Sequence, residues 1–512
     1  MLTQRIRWHE ETDLIVVGYG CAGAVAALTA YDAGMEALIL EKQESDNHIT
    51  NSYMSAGAFI SPSNAKQAEQ YMRYLCRVST NLYWTPPDVI HIWAKYAVEN
   101  KKWMENIGAH TELDIHGGEH NVPGTESMDT YQVRGMGPRM MSLLSEQIKN
   151  RGIRVFYGAS AEELLTNSRG EVIGVKVRQR NPEKSINIRS RRAVVLATGG
   201  FEFNEEMKLN YLKVYPTYFT GSPANTGDGI RMALTIGAEL WHMNCCSATL
   251  AMKFPGIAPA LPPQYLGKLW RLPGSSVLPG FAGQGWGTNI AERLATLPGF
   301  IIADRYGKRY FNEVFKRHTA YYELANFDSN KLLYPRAPSY WIFDRKRLQD
   351  SPLAPGSLGA TGPSGFYKWS SDNSAEIARG WIKQGDSIKK LATKLGMEPQ
   401  TLKDTINTYN HYCKQKLDME FGRIPESLVP LENPPYYAVE LWPGGPNTQG
   451  GPRRNAKSQI LRPGGSVIPR LYSAGELGSI YGMLYPMGGG NLAECIVFGR
   501  IAGEQANKER PA

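Results

Sequence analysis

Glycines at positions 18, 20 and 23 stand one and two residues apart in the stretch Val17-Gly18-Tyr19-Gly20-Cys21-Ala22-Gly23. This spacing works through backbone rather than side chains. The first glycine permits a tight turn, the second admits a diphosphate, and the third lets a helix pack closely on a strand. Glu41 follows about twenty residues on, where a carboxylate reaches a ribose hydroxyl. Near the other end, Tyr485-Pro486-Met487-Gly488-Gly489-Gly490 sets a phenol beside three glycines. Consecutive glycines lose more freedom on folding than any other residues, so the backbone there must come close to something.

The flanking residues supply the elements that would position this chemistry. Leu14–Val17 is a short apolar run that reads as a strand, and an alanine-rich helix runs to about Ala33, where Gly34 ends it. Ala37–Leu40 is a second strand that ends at Glu41. The helix N-terminus offers N–H groups and the positive end of its dipole to a phosphate. A lone glycine motif is weak, but strand, glycine turn, helix, strand and acid together define a dinucleotide site. Its candidate contacts are Gly18, Gly20, Cys21, Ala22, Gly23, Glu41 and Lys42. The motif leaves NAD and FAD both open.

Further along, residues 138–150 read as a helix, followed by "GIRVFYGASAEELL" as a strand and loop. A β-meander then ends in the buried strand Ala193–Ala197, and Thr198, Gly199 and Gly200 follow at once. A third return, "IPRLYSAGELGS", carries Gly475 and Glu476. Between 246 and 438 Pro, Gly, Trp and Tyr become frequent. Helical periodicity resumes there only in "AEIARGWIKQGDSIKKLATKLGM" and "EPQTLKDTINTYNHYC", with two amphipathic helices over 388–412 and Pro399 at a helix start. The expected organisation is a first domain part over 1–245, an inserted domain over 246–438, and a second part over 439–512. An NAD-only domain needs one glycine turn, whereas three favour the longer FAD. On this reading the glycines near 489 make room for its tricyclic ring. The helix from Asn491 then points N–H groups at that ring.

Composition narrows the class. The chain has 512 residues, too many for one core, with a formal charge of +9 spread without a basic run. No zinc-finger, helix-turn-helix or RNA-binding signature occurs, so nucleic acid is not an expected partner. The cysteines at 21, 76, 245, 246, 413 and 495 form no Cys-x-x-Cys and no zinc spacing, so no metal is expected and a reducing cytoplasm suits them. No signal peptide is expected from these residues, and no membrane span, since no apolar run reaches membrane-spanning length.

Taken together, "VVGYGCAG", "NSYMSAG", "AVVLATGGFEFN", "RYFNEVFKR", "NTQGG" and "LYSAGELGS…YPMGGGNLAE" resemble the flavoprotein superfamily of fumarate reductase, urocanate reductase and the 3-ketosteroid dehydrogenases. The resemblance implies an α/β fold: a discontinuous Rossmann-like FAD-binding domain with an inserted α+β capping domain, and substrate between cap and flavin. It implies cofactor contacts from Asn51, Ser52, Ser55, Ala56 and Gly57, from Ala159 and Ala161, and from Asn225 and Asp228. It extends them to Gly490, Asn491 and Leu492. Asn51 stands where succinate dehydrogenases carry a flavin-linking histidine, so FAD is expected to be non-covalent. His48 is expected to be an exposed loop residue.

The same resemblance addresses the substrate. The dicarboxylate-binding histidine and arginine of fumarate reductases fall on Asn447 and Met487, which makes fumarate unsuitable. The Tyr-Pro-x-x-Gly of ketosteroid dehydrogenases is present, and it implies that Tyr485 and the Gly489 N–H polarise a ketone. Arg317 stands where fumarate reductases place a proton-donating arginine, and Tyr321 and Tyr322 are alternatives for that role. The expected reaction interconverts a saturated and an α,β-unsaturated apolar ketone, by hydride transfer at flavin N5 and proton transfer at the α-carbon. The alternatives are a reductase of unsaturated acids such as urocanate, and a non-catalytic flavin-bound interaction protein. Electrons are expected to pass through a separate carrier.

Overall fold

The computed structural model describes residues 6–180, 182–265, 299–314, 318, 320–354 and 366–511. The chain divides into two compact units. One comprises Met1–Met207, Ser222–Cys246 and Asn447–Ala512, and the other Lys208–Gly221 and Ser247–Pro446.

The first unit is built on a sheet whose inner strands are apolar along their whole buried length. Strand β1 (Glu10–Val17) is followed by helix α1 (Cys21–Asp32) and strand β2 (Ala37–Leu40). Leu14 to Val17 and all of β2 are buried, as a parallel sheet covered on both faces requires. With β3 (Arg154–Phe156), β4 (Glu183–Leu196), β5 (Gln459–Leu461) and β6 (Val467–Ser473), the order across the sheet is β5-β6-β4-β1-β2-β3. The pairs β6–β4, β4–β1, β1–β2 and β2–β3 are parallel, and β5 runs antiparallel at the edge. The segment expected to be one strand and a loop is instead two strands, β3 and Ala159–Thr166, the second joining the meander.

The late helix α2 (Gly490–Asn507) lies against α1 at very short range. A Cβ at Gly499 would come 2.9 Å from the Ala22 carbonyl oxygen, and one at Gly503 would come 2.8 Å from that of Ala26. Small residues one turn apart on α2 thus receive the alanine-rich face of α1. That contact brings the carboxy-terminal segment beside the first glycine turn.

In the second unit, residues Tyr436–Leu441 of the long strand Tyr436–Thr448 pair antiparallel with Ser339–Asp344, which pairs antiparallel with Phe300–Ala303. Helices Ile388–Leu395 and Pro399–Gln415 place Leu391, Leu402, Ile406 and Tyr409 against Ile301 and Ile342. The upstream helical periodicity is interrupted. Helix Ser374–Ala378 is followed by Gly380 at φ +70° and by strand Lys383–Gly385. There, a Cβ at Gly385 would meet Leu391 backbone at 2.5 Å. Arg309 holds the Asn312-Glu313 turn, because its guanidinium pairs with the buried carboxylates of both Glu313 and Asp418 at 2.7 Å.

Candidate cofactor and active site

The glycine turn after β1 is fixed by sterics. Gly18 has φ +102°, donates its N–H to Leu40 O at 2.8 Å, and would bring a Cβ within 2.4 Å of Ala197 O. A Cβ on Gly23 would lie 2.0 Å from Gly18 O. Gly20 differs. Its φ of −87° and ψ of −170° suit any residue, and a Cβ there would find only Ser52 Oγ, at 3.6 Å. No protein neighbour demands a glycine at position 20. What it preserves is open space at the N-terminus of α1, where no side chain caps the helix.

That space belongs to a cavity of about 580 Å³. Its walls include Gly18, Gly20, Cys21, Ala22, Glu41, Lys42, Asn51 and Ser52. Further round are Ala159, Ala161, Thr198, Gly199, Asn225, Asp228 and Glu476. Of the other expected contacts, Gly23, Ser55, Ala56, Gly57, Gly200, Gly475, Gly490, Asn491 and Leu492 do not line it. Several of these serve packing. Gly57 at φ +65° would bring a Cβ to 2.4 Å from the Met136 carbonyl carbon, and Gly475 would meet Ala22 Cβ at 2.8 Å.

Around the cavity, Ser52 Oγ accepts the Cys21 N–H at 3.1 Å and ties the 51–54 helix to α1. Glu41 is buried and accepts the N–H of Tyr19 at 3.0 Å and of Gln43 at 2.9 Å. Burial works to raise its pKa, but His48 and these two N–H groups outweigh it and hold the carboxyl below its ordinary range. His48 is not an exposed loop residue. Its ring stacks on Tyr19 with centroids 5.2 Å apart, and Nε2 lies 3.6 Å from Glu41. Asp228 accepts from Lys42 Nζ at 2.6 Å. Burial opposes its ionisation, yet Lys42, Thr226 and Arg231 leave its pKa lowered.

The donor set fits an FAD-type ligand. Among the described residues, the wall presents buried polar atoms that no N–H group or cation satisfies, Thr198 Oγ1 and Glu476 Oε1, and an unpaired amide donor, Asn225 Nδ2. Unsatisfied buried groups are costly, and a ligand rich in phosphate and hydroxyl oxygens would satisfy them.

At the late turn the glycines make room for protein. Gly489 has φ +90°, and its Cβ would strike the backbone of Phe59 at 2.9 Å. That of Gly490 would strike the Tyr485 ring at 2.9 Å. Sequence reasoning assigned this room to a flavin ring, and the structure gives it to the Ala58–Ile60 strand and to Tyr485. The turn is pinned by residues that carried no motif. Tyr71 donates its hydroxyl to Pro486 O at 2.7 Å, Thr130 Oγ1 to Gly488 O at 2.8 Å, and His120 Nε2 lies 3.0 Å from Tyr485 O. Tyr485 Oη accepts the Asn491 N–H at 2.8 Å. Burial raises the phenol's pKa above its ordinary value, so it stays protonated. Beside it, Asn491 Nδ2 donates to Asn447 Oδ1 at 2.6 Å, and Gln449 Nε2 donates to Asn491 Oδ1 at 3.2 Å. Met487 is buried.

Tyr321 and Tyr322 lie in the other unit. The Tyr321 and Tyr322 rings form an edge-to-face pair with centroids 5.3 Å apart. Arg317 lies outside the described residues.

This architecture defines a class, a nucleotide-binding α/β protein with a dinucleotide cavity at the carboxyl ends of its parallel strands. The FAD binding domain family model matches residues 13–492, and the chain belongs to that family. It is similar to a probable fumarate reductase of Shewanella frigidimarina, 26% identical over 98% of this chain and 75% of that protein. It is also similar to a 3-oxosteroid 1-dehydrogenase of Mycobacterium tuberculosis, 29% identical over 72% of this chain and 62% of that protein. Among solved structures it resembles the 3-ketosteroid Δ1-dehydrogenase of Sterolibacterium denitrificans in complex with 1,4-androstadiene-3,17-dione. The TM-score is 0.81 at 20% identity, covering 98% of this chain and all of that one. The family match makes the protein a flavoprotein that binds FAD, and the two curated relatives are named as oxidoreductases. Among the described residues no helix is long and apolar enough to cross a membrane.

Proposed function

We propose that the protein interconverts a saturated and an α,β-unsaturated ketone of roughly steroid size. The observation that carries this reading is that the buried residues at 447 and 487 are neutral, Asn447 and Met487. Asn447 spends its Oδ1 on Asn491, and Met487 is buried. Neither offers the bidentate cation that a dicarboxylate gains most from. A neutral carbonyl needs a hydrogen-bond donor instead, and the Tyr485 phenol is a donor held at the start of α2. The 3-oxosteroid 1-dehydrogenase and the steroid complex among the similar proteins are consistent with such a substrate.

When bound, FAD supplies hydride donation and acceptance. The chain's own groups do the rest. The N-terminus of α1, with the space kept by Gly20, receives the diphosphate, and Glu41 accepts from ribose hydroxyls. The Tyr485 hydroxyl and the Gly489 N–H draw electron density onto the ketone oxygen and stabilise the enolate charge that builds there while the α-carbon gains or loses its proton. Arg317, Tyr321 or Tyr322 carries the proton at that carbon. FAD is held without a covalent link, because Asn51 commits its amide to Glu476 and to the Ser222 N–H and an amide is no nucleophile. A separate carrier exchanges electrons with the site.

The test is a titration of the oxidised holoprotein with matched ligands, read from the perturbation of the flavin absorption band. Steroid ketones should shift it saturably while fumarate and urocanate leave it unchanged. Saturation by the acids alone would contradict the reading.

A further inference from the structure

Glu202 and Glu476 come from separate turns, after β4 and after β6, and meet beside Gly200. A Cβ built on Gly200 would lie 2.4 Å from Glu476 Oε1 and 2.7 Å from Glu202 Oε1, so both carboxyl groups face one point. Glu202 is fully buried and Glu476 is 8% exposed. Glu202 Oε1 accepts the Thr448 N–H at 2.6 Å and its hydroxyl at 2.9 Å, and Glu476 Oε2 accepts from Asn51 Nδ2 at 3.0 Å. None of these partners is a cation. Among the described residues no N–H group and no cation pairs with Glu202 Oε2 or Glu476 Oε1, and the side chain that Glu476 meets there is Glu202.

Two buried carboxyl groups facing one point, with no cation among the described residues paired to either, make ionisation of the cavity-lining member costly. Burial and the neighbouring Glu202 raise the Glu476 carboxyl well above its ordinary range, and the Cys495 thiol, which also faces it, acts in the same direction. Glu476 is the member that lines the cavity. The cavity wall also carries Glu41, Lys42, Asp228 and Arg231.

We propose that Glu202 and Glu476 form a single-proton dyad to which FAD binding is linked, so that the anionic cofactor is held tightly only while the pair keeps its proton. The proposal rests on the cavity being the FAD site. A diphosphate brought into the same cavity adds to the cost of ionising Glu476, so the holoprotein holds the proton more firmly than the empty protein does. Thermodynamic reciprocity then requires the cofactor to bind less tightly once the proton has left. Because the folded pKa is raised, the tight state is complete at acidic pH and is lost as pH rises through the folded value.

The full-length holoprotein is diluted at a series of pH values, and FAD release is followed by the recovery of flavin fluorescence. The dissociation constant should rise with pH, approaching but not exceeding tenfold per pH unit, the limit for one proton. Glu476→Gln should abolish the dependence, and Glu202→Gln should move it to lower pH. A wild-type constant flat in pH while circular dichroism reports an intact fold would overturn the dyad, as would a Glu476→Gln protein that keeps the wild-type dependence. Should a variant fail to fold, proton uptake on FAD binding to the wild type in weakly buffered indicator solution decides. Uptake supports the dyad and its absence contradicts it. A chain that takes up no FAD would overturn the cavity assignment as well, which separates the two failures.

Discussion

The Tyr485 hydroxyl lies 2.8 Å from the backbone nitrogen of Asn491 and accepts its N–H. Gly489 precedes α2 and has no side chain to cap it, so a phenol four residues upstream satisfies an N–H that a serine or aspartate usually takes. The same contact orients the ring, and burial keeps its proton in place.

Tyr485→Phe removes both the cap and the donor. The unpaired N–H should cost about 1–3 kcal/mol of stability. Turnover should fall by roughly 10²–10³-fold, the usual loss for one oxyanion donor, while FAD stays bound. Thermal unfolding and steady-state rates on one preparation check both. Because the phenol pKa is raised, the wild type should show no alkaline loss of activity from this group near its ordinary pKa of about 10.

Gly20→Ala and Gly23→Ala should separate cofactor binding from folding. At position 20 the backbone suits alanine and the nearest atom is 3.6 Å away. FAD affinity should therefore drop by about tenfold or more, equivalent to about 1.4 kcal/mol, with melting temperature unchanged once FAD is stripped. At position 23 the methyl meets Gly18 O at 2.0 Å, and the stripped protein itself should lose about 1–3 kcal/mol. Flavin content and melting curves distinguish the two.

Glu41 has a lowered folded pKa. Its stabilisation is present above the ordinary carboxylate pKa of about 4.3 and lost as pH falls through the folded value. Glu41→Gln should flatten that acid limb of the unfolding curve and weaken FAD, measured by chemical denaturation across pH and by flavin release.

Arg317→Ala should abolish turnover while leaving FAD bound, since a protonated guanidinium can pass a proton only through a relay. Rates on Tyr321→Phe and Tyr322→Phe, read beside it, assign the proton transfer. Full activity in the arginine variant would remove that residue from the mechanism.

Much of the first unit could be read from the chain because backbone geometry leaves few alternatives. An apolar strand, glycines at fixed spacing and an acid after the next strand imply the turn at Gly18 and the placement of Glu41. The late glycines misled because a triplet reports only close approach, not what approaches. Gly489 proved to face Phe59, and Gly490 to face Tyr485. The helical reading upstream of residue 388 failed at Gly380 and Gly385, where a positive φ and a strand pairing overrode local periodicity. The Glu202–Glu476 pair was illegible, since nothing local records that two turns far apart in sequence converge. One cue was available: an acid placed two residues after the Gly199-Gly200 turn.

The central proposal is that the neutral residues Asn447 and Met487 favour a ketone over an acid. Its most direct measurement is the ratio of kcat/KM for an α,β-unsaturated ketone to that for the carboxylic acid of the same carbon skeleton. A ratio of at least about 10², the scale on which an unpaired buried polar group discriminates, is the expected result. A ratio below one would contradict it.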